Sequence, residues 1–273
     1  MKLYFNPQTK RSLDKLKAKL PHAVLLFGEE GVGLLSAAKF IANEQHSAII
    51  EPRDKNNEVN HVAGTISVKR IRELYSESSS KSLTKRIFII DDADKMSQSA
   101  QNAFLKLLEE PVESTHFVLT SHSPSSLLAT IKSRVEHTSI RPIDIEQSRD
   151  LVYELKLQGT KATQALFVAA GKPAELARIA KDETYFNNTV SFMTAAKAFV
   201  GSDKALAAEL AFSNAAERED ALKLLQASRD ILMHTAKRHA DSELIAKMSK
   251  LNNAYDAIAA NGNVKLQLMT ALL

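Results

Sequence analysis

The stretch Gly28-Glu29-Glu30-Gly31-Val32-Gly33-Leu34-Leu35 constrains this 273-residue chain more than any other. The run His22-Ala23-Val24-Leu25-Leu26-Phe27 leads into it, and the alanine-rich stretch Ser36–Ala42 leads out. Strand, glycine loop and helix in that order make the setting in which backbone N–H groups cradle phosphates. The glycine frame G-x-x-x-x-G is present at Gly28 and Gly33. The Lys and the Ser or Thr that a working loop needs next are replaced by Leu34 and Leu35. Leucine offers no charge to β- and γ-phosphates and no ligand to Mg²⁺. The loop therefore reads as a phosphate cradle that has kept its shape and lost its chemistry.

The flanking pattern predicts an α/β fold for the first half of the chain. Arg86-Ile87-Phe88-Ile89-Ile90 is an apolar run ending in Asp91-Asp92. A run apolar on both faces suggests a strand buried in a parallel sheet, with its acids at the end where such sheets bind ligands. Ser97 caps a helix that turns Ala100, Ala103, Phe104, Leu107 and Leu108 inward and ends before Pro111. His116–Thr120 reads as a strand, Ser126–Ile131 as a short helix followed by Ser133-Arg134, and Val135–Ile140 as a last strand. Residues 51–62 and 76–82 read as polar loops around a helix at 68–75. An acid after an apolar strand, one βα unit away from a glycine loop, is the Walker A/B arrangement.

After residue 143 strand signals stop. The expected layout is an α/β domain at 1–143, a small helical lid at 144–184 and a helical bundle at 185–273. In the lid, Gly171 reads as a helix C-cap and Pro173 as the first turn of the next helix. The bundle helices are expected at about 189–200, 203–212, 216–239, 241–260 and 263–273.

Composition excludes several classes. The chain has no cysteine, so disulfides and thiolate metal sites are ruled out, which fits a reducing compartment such as the cytoplasm. No apolar run approaches the length of a membrane span, and the first residues lack the apolar core of a secretion signal. The net charge of +4 is mild. A basic amphipathic helix within residues 1–20 is a solvated face or a contact for a phosphate backbone. Tryptophan is absent and aromatics make up 6%, so stacking platforms for single strands are not advertised.

Three segments carry a family resemblance. Asp91-Asp92-Ala93-Asp94-Lys95-Met96, Leu107-Leu108-Glu109-Glu110-Pro111 and Leu127-Leu128-Ala129-Thr130-Ile131-Lys132-Ser133-Arg134 resemble the clamp-loader branch of the AAA+ superfamily. With its failed Walker A, the chain is similar to the delta-prime family of bacterial DNA polymerase III subunits. The resemblance spans residues 1–180; beyond them only helical character matches the collar domain of that family. It implies that Gly28, Gly31 and Gly33 shape a degenerate, empty loop and that Asp91 and Asp92 are vestiges of Walker B. His122 falls near sensor 1, and Ala174 stands where active members carry the sensor-2 arginine. Arg134, with Ser133, occupies the arginine-finger position, although Val135 replaces the usual cysteine. The four-cysteine zinc module of many relatives is absent or reduced to the loop at 51–62.

The implied function is a clamp-loader subunit without ATPase activity of its own, lending Arg134 to a neighbour. Its implied partners are ATP-binding gamma/tau-type and delta-type subunits, the sliding clamp, and primer-template DNA through the assembled hetero-oligomer; no cofactor and no membrane are expected. The alternatives are an active AAA+ ATPase of replication or recombination, a clamp-opening delta-type subunit, and a DNA-binding module built on the basic helix. Arg134 could also be a surface ion-pair residue, and Asp91 and Asp92 could cap the next helix. His116, His122 and His137 have no zinc spacing and no evident carboxylate partner, so no metal is expected.

Overall fold

The computed structural model describes residues 2–43, 48–61, 63–79, 85–110, 112, 114–201, 203–215, 217–236 and 242–272. They divide into two compact units, Met1–Arg178 and Ile179–Leu273.

The first unit is built on five strands: β1 (Ala23–Phe27), β2 (Ala48–Ile50), β3 (Arg86–Ile90), β4 (Thr115–Ser121) and β5 (Glu136–Ser139). Their order is β2-β3-β4-β1-β5, and every pairing is parallel. Successive side chains alternate between two cores, as the period of a strand requires. Leu25, Phe88, Ile90, Phe117 and Leu119 enter one core; Val24, Leu26, Ile87, Ile89 and Val118 enter the other. That two-sided burial is why β1 and β3 read as unbroken apolar runs.

Helices α1 (Pro7–Ala18) and α2 (Leu34–Ile41) cover one face; α3 (Val68–Ser79), α4 (Gln98–Glu109) and α5 (Ala129–Lys132) cover the other. Asn6 caps α1 by accepting from the Gln8 N–H at 3.0 Å, and Pro7 fills its first turn. Leu13 and Leu16 are buried from α1. On its outer side Lys10 pairs with Asp14, and the ammonium groups of Lys10 and Lys17 lie 4.7 and 4.6 Å from the centre of the Phe40 ring. Three further helices, α6 (Ile145–Glu154), α7 (Gly159–Ala169) and α8 (Pro173–Lys181), complete the series to residue 181. Asp144 and Gln147 form a reciprocal capping box at the start of α6.

The second unit holds α9 (Glu183–Val200), α10 (Lys204–Asn214), α11 (Arg218–Ala236), α12 (Ser242–Ala259) and α13 (Val264–Leu272). Asp182, Asp203 and Asn263 cap α9, α10 and α13 by accepting N–H bonds of 2.9 to 3.0 Å. Small side chains let these helices pack closely, with Ala195, Ala196, Ala211, Ala221 and Ala254 all buried. The Arg218 guanidinium donates to the carbonyls of Ile258 and Gly262 at the end of α12.

Several element boundaries differ from the sequence expectation. β2 carries only three residues, too few for a period to show. Helix α3 runs to Ser79, through serines read as part of the 76–82 loop; residues 80–82 of that loop lie outside the described residues, as does Pro111. The helix expected at 126–131 is a 3₁₀ turn, Pro124–Ser126, followed by α5. Helix α7 begins at Gly159 and α9 at Glu183, both earlier than the apolar spacing suggested. Residues 51–66 are not simply a loop: Arg53 forms antiparallel bridges with Val59 and Thr65.

Candidate functional site

The glycine loop joins β1 to α2, and Gly33 stands at the N-cap of α2 with φ of 90°. Leu34, in the Walker lysine position, is buried with Val32 and Ala38 in the core beneath. Leu35 packs partly against the same core. Both side chains thus turn away from any phosphate. Glu29 and Glu30 are exposed on the loop, and their charges oppose an anion. That second mark against phosphate binding was readable in the sequence, as two carboxylates inside the glycine frame.

The loop is also latched. The Gly31 carbonyl accepts the N–H groups of Ala174 at 2.9 Å and Glu175 at 3.3 Å. These are first-turn donors of α8, which have no partner inside their own helix. Gly31 has φ of +85°, and a Cβ there would lie 2.9 Å from the Glu175 Cβ and 3.2 Å from the Lys172 Cβ. A carbonyl oxygen of the loop therefore sits on the helix N-terminus, where partial positive charge would otherwise favour an anion. Ala174, read from the sequence only as a missing arginine, is a contact point of this latch. Gly28 donates its N–H to Ser121 at 3.4 Å and accepts from His122 Nδ1 at 3.0 Å.

Across the sheet, β3 ends at the acid pair. Asp91 is 6% exposed, and its Oδ1 accepts the Thr120 hydroxyl at 2.6 Å. Burial pushes its carboxyl above the usual range; the Thr120 bond pulls the other way, and the Asp92 charge adds to the rise. Asp92 has φ of 51° at the start of a 3₁₀ turn, Ala93–Lys95, and its side chain caps nothing. This corrects the capping role considered for Asp92. Its carboxylate instead lies 2.9 Å from His61 Nδ1, 3.8 Å from His122 Nε2 and 3.9 Å from Lys95 Nζ. His122 thus does have a carboxylate neighbour, contrary to the sequence expectation. His116 and His137 meet the carbonyls of Pro21 and Lys132, and His137 also meets the Phe27 ring edge to face. His61, which sequence reasoning passed over, meets Glu51 as well: its Nε2 lies 3.8 Å from Glu51 Oε1.

Arg134 follows α5 on the exposed surface, well apart in sequence from these groups. Its Nη2 lies 3.0 Å from Glu109 Oε1, and its Nη1 donates to the Thr130 carbonyl at 3.1 Å and the Ser133 hydroxyl at 3.4 Å. Within the single chain the arginine forms a surface ion pair. Glu109 belongs to the Leu-Glu-Glu-Pro segment, so two of the segments that carried the resemblance meet through this pair.

A five-stranded parallel sheet with a glycine loop after β1 and acids after β3 defines an AAA+ α/β fold with a helical C-terminal region. A DNA polymerase III gamma subunit-related protein of Thermotoga maritima aligns over 97% of both chains with a TM-score of 0.54 at 20% identity, and so shares the fold. The family model described as DNA polymerase III, delta subunit matches residues 6–144. The chain belongs to this family of clamp-loader proteins. It is 31% identical over 172 residues to the Bacillus subtilis DNA polymerase III subunit delta', covering 56% of this chain and 50% of that protein. It is 32% identical over 146 residues to the Bacillus subtilis subunit tau, covering 47% of this chain and 26% of that one. The match spans at most about half the length of either relative.

Proposed function

We propose that this chain is a non-catalytic subunit of a sliding-clamp loader. In this reading it binds no nucleotide productively and lends Arg134 to a neighbouring subunit's ATP. The observation that carries it is the latch: the Gly31 carbonyl takes the first-turn N–H groups of α8 while Leu34 fills the core. A loop already joined to α8 gains no closure from a nucleotide. Residues 1–143 would act as the AAA+ domain, 144–184 as the lid and 185–273 as a collar packing against other subunits. The partners are gamma/tau-type and delta-type subunits, with the clamp and primer-template DNA held by the assembled cytoplasmic complex. The names of the relatives support the clamp-loader part of this reading. No helix among the described residues is long and apolar enough to cross a membrane.

Equilibrium titration of the isolated chain with fluorescent ATP tests the nucleotide half. The expected result is no Mg²⁺-dependent binding tighter than a Kd of about 1 mM. Micromolar Mg²⁺-dependent binding overturns it in favour of an active ATPase. Recovery of other loader subunits with the tagged chain from its source cell, identified by mass spectrometry, tests the assembly half.

A further inference from the structure

We propose that Glu51, His61 and Asp91 form a zinc-type divalent-metal site that needs no nucleotide. One ligand atom from each lies within 4.8 Å of the other two. The backbone builds this convergence. β2 and β3 run parallel, and the Asp91 N–H donates to the Ile50 carbonyl at 2.8 Å, so Glu51 and Asp91 leave adjacent strand ends side by side. The bridges of Arg53 with Val59 and Thr65, and the 2.9 Å bond from the Asn60 N–H to the Pro52 carbonyl, fold the segment carrying His61 back over them.

The orientation of His61 is what points to a cation. Its Nδ1 sits 2.9 Å from Asp92 Oδ2, as a donor to a carboxylate. In the neutral ring Nε2 then carries a lone pair, 3.8 Å from a Glu51 oxygen. A lone pair on Nε2 and a carboxylate oxygen at that separation can both turn to one cation placed between them, a proton or a metal. A carboxylate holding one nitrogen of a histidine, as Asp92 holds Nδ1 of His61, is the usual support of a metal-binding imidazole.

Asp91 leaves one carboxylate oxygen for a ligand bond: Thr120 occupies its Oδ1, and the second oxygen is open to solvent rather than sealed in the core. Lys95 Nζ at 3.9 Å and His122 Nε2 at 3.8 Å lie near the neighbouring Asp92. A dication would answer the charge that Glu51 and Asp91 bring together. One imidazole and two carboxylates suit Zn²⁺, with water completing four ligands, and suit Mg²⁺ poorly. Tetrahedral ligands at about 2.1 Å stand about 3.4 Å apart, so from 4.8 Å the cluster closes by up to about 1.4 Å. The exposed ring of His61 and the flexible Glu51 permit that closure. The bound ion would clip the 51–66 segment to the end of the sheet. The site shares Asp91 with the Walker B position but differs from phosphate-bound Mg²⁺, which would draw a ligand from the position of Leu35 and none from His61. The inference does not rest on the clamp-loader reading.

Calorimetric titration of the chelator-treated full chain with ZnCl₂ tests it. One Zn²⁺ per chain is expected, with a Kd of about 10 μM or tighter, unaffected by millimolar Mg²⁺. His61→Ala and the near-isosteric Glu51→Gln are each expected to weaken binding by about 30-fold, while His137→Ala leaves it unchanged. Zn²⁺ at a hundred times the wild-type Kd is expected to raise the wild-type Tm by about 5 °C, and that of Glu51→Gln by only about a third as much. No binding below 100 μM, or full affinity in Glu51→Gln, overturns the site. If His61→Ala fails to fold, Glu51→Gln alone decides.

Discussion

In a loader reconstituted with Arg134→Ala, single-turnover ATP hydrolysis at the neighbouring site is expected to fall by about 10³-fold, with assembly intact. The magnitude is that of a trans arginine neutralising charge on a transferring phosphoryl group. What makes the residue available is the weakness of its local tie. Glu109 and Arg134 are both exposed, and surface ion pairs of this kind contribute about 0–1 kcal/mol. Leaving Glu109 for a phosphate therefore costs little, while the bonds to Thr130 and Ser133 keep the guanidinium near the end of α5. Arg134→Lys keeps the charge but not the planar fork, and is expected to recover only a small part of the rate. Glu109→Gln removes the resting partner and is expected to leave turnover within a few-fold of wild type. Size-exclusion chromatography checks that each variant still assembles. Unchanged turnover in Arg134→Ala sinks the finger role and leaves the ion pair as its whole function.

The fold was legible where period and punctuation agree. β1, β3 and β4 are apolar on both faces and are bounded by polar residues, so their burial could be read directly from the chain. Ser97 capping α4 and Pro173 opening α8 were equally plain. β2 was not, because Ala48–Ile50 is too short to show alternation. α3 was cut short because serine favours loops, whereas here the 12-residue helix continues through Ser76 on the packing of Ile71 and Leu74. Of the candidate site, Leu34 and Leu35 could be recognised by residue type alone. The pairs that give the site its physical character could not. His61 meets Asp92 across 31 residues of sequence, Arg134 meets Glu109 from a different helix, and Gly31 meets Ala174 from the far end of the unit. Each of these contacts depends on sheet order and helix docking, which local pattern does not encode.

The latch leads to the second large expectation. Gly31→Ala is expected to destabilise the first unit by about 2–4 kcal/mol, from strain at positive φ together with overpacking. The backbone there has φ of +85°, and the new methyl would lie 2.9 Å from the Glu175 Cβ, closer than such carbons approach. Relief requires α8 to move off the loop, which breaks the bonds from Ala174 and Glu175 to the Gly31 carbonyl. Gly159→Ala supplies the comparison, since Gly159 has φ of +57° with nothing within 4 Å of its built Cβ. It is expected to cost only the conformational strain, about 1 kcal/mol. Gly33→Ala, with φ of +90° and its nearest neighbour 3.7 Å away, is expected to resemble Gly159→Ala. Urea unfolding midpoints rank the three variants. Hydrogen exchange at Ala174 and Glu175 is expected to accelerate at temperatures where Gly31→Ala remains folded, and to stay near wild type in Gly159→Ala. If Gly31→Ala costs no more than Gly159→Ala and leaves those amides protected, the loop does not hold α8. The proposal that the loop binds no nucleotide would then rest on Leu34, Leu35 and the charges of Glu29 and Glu30.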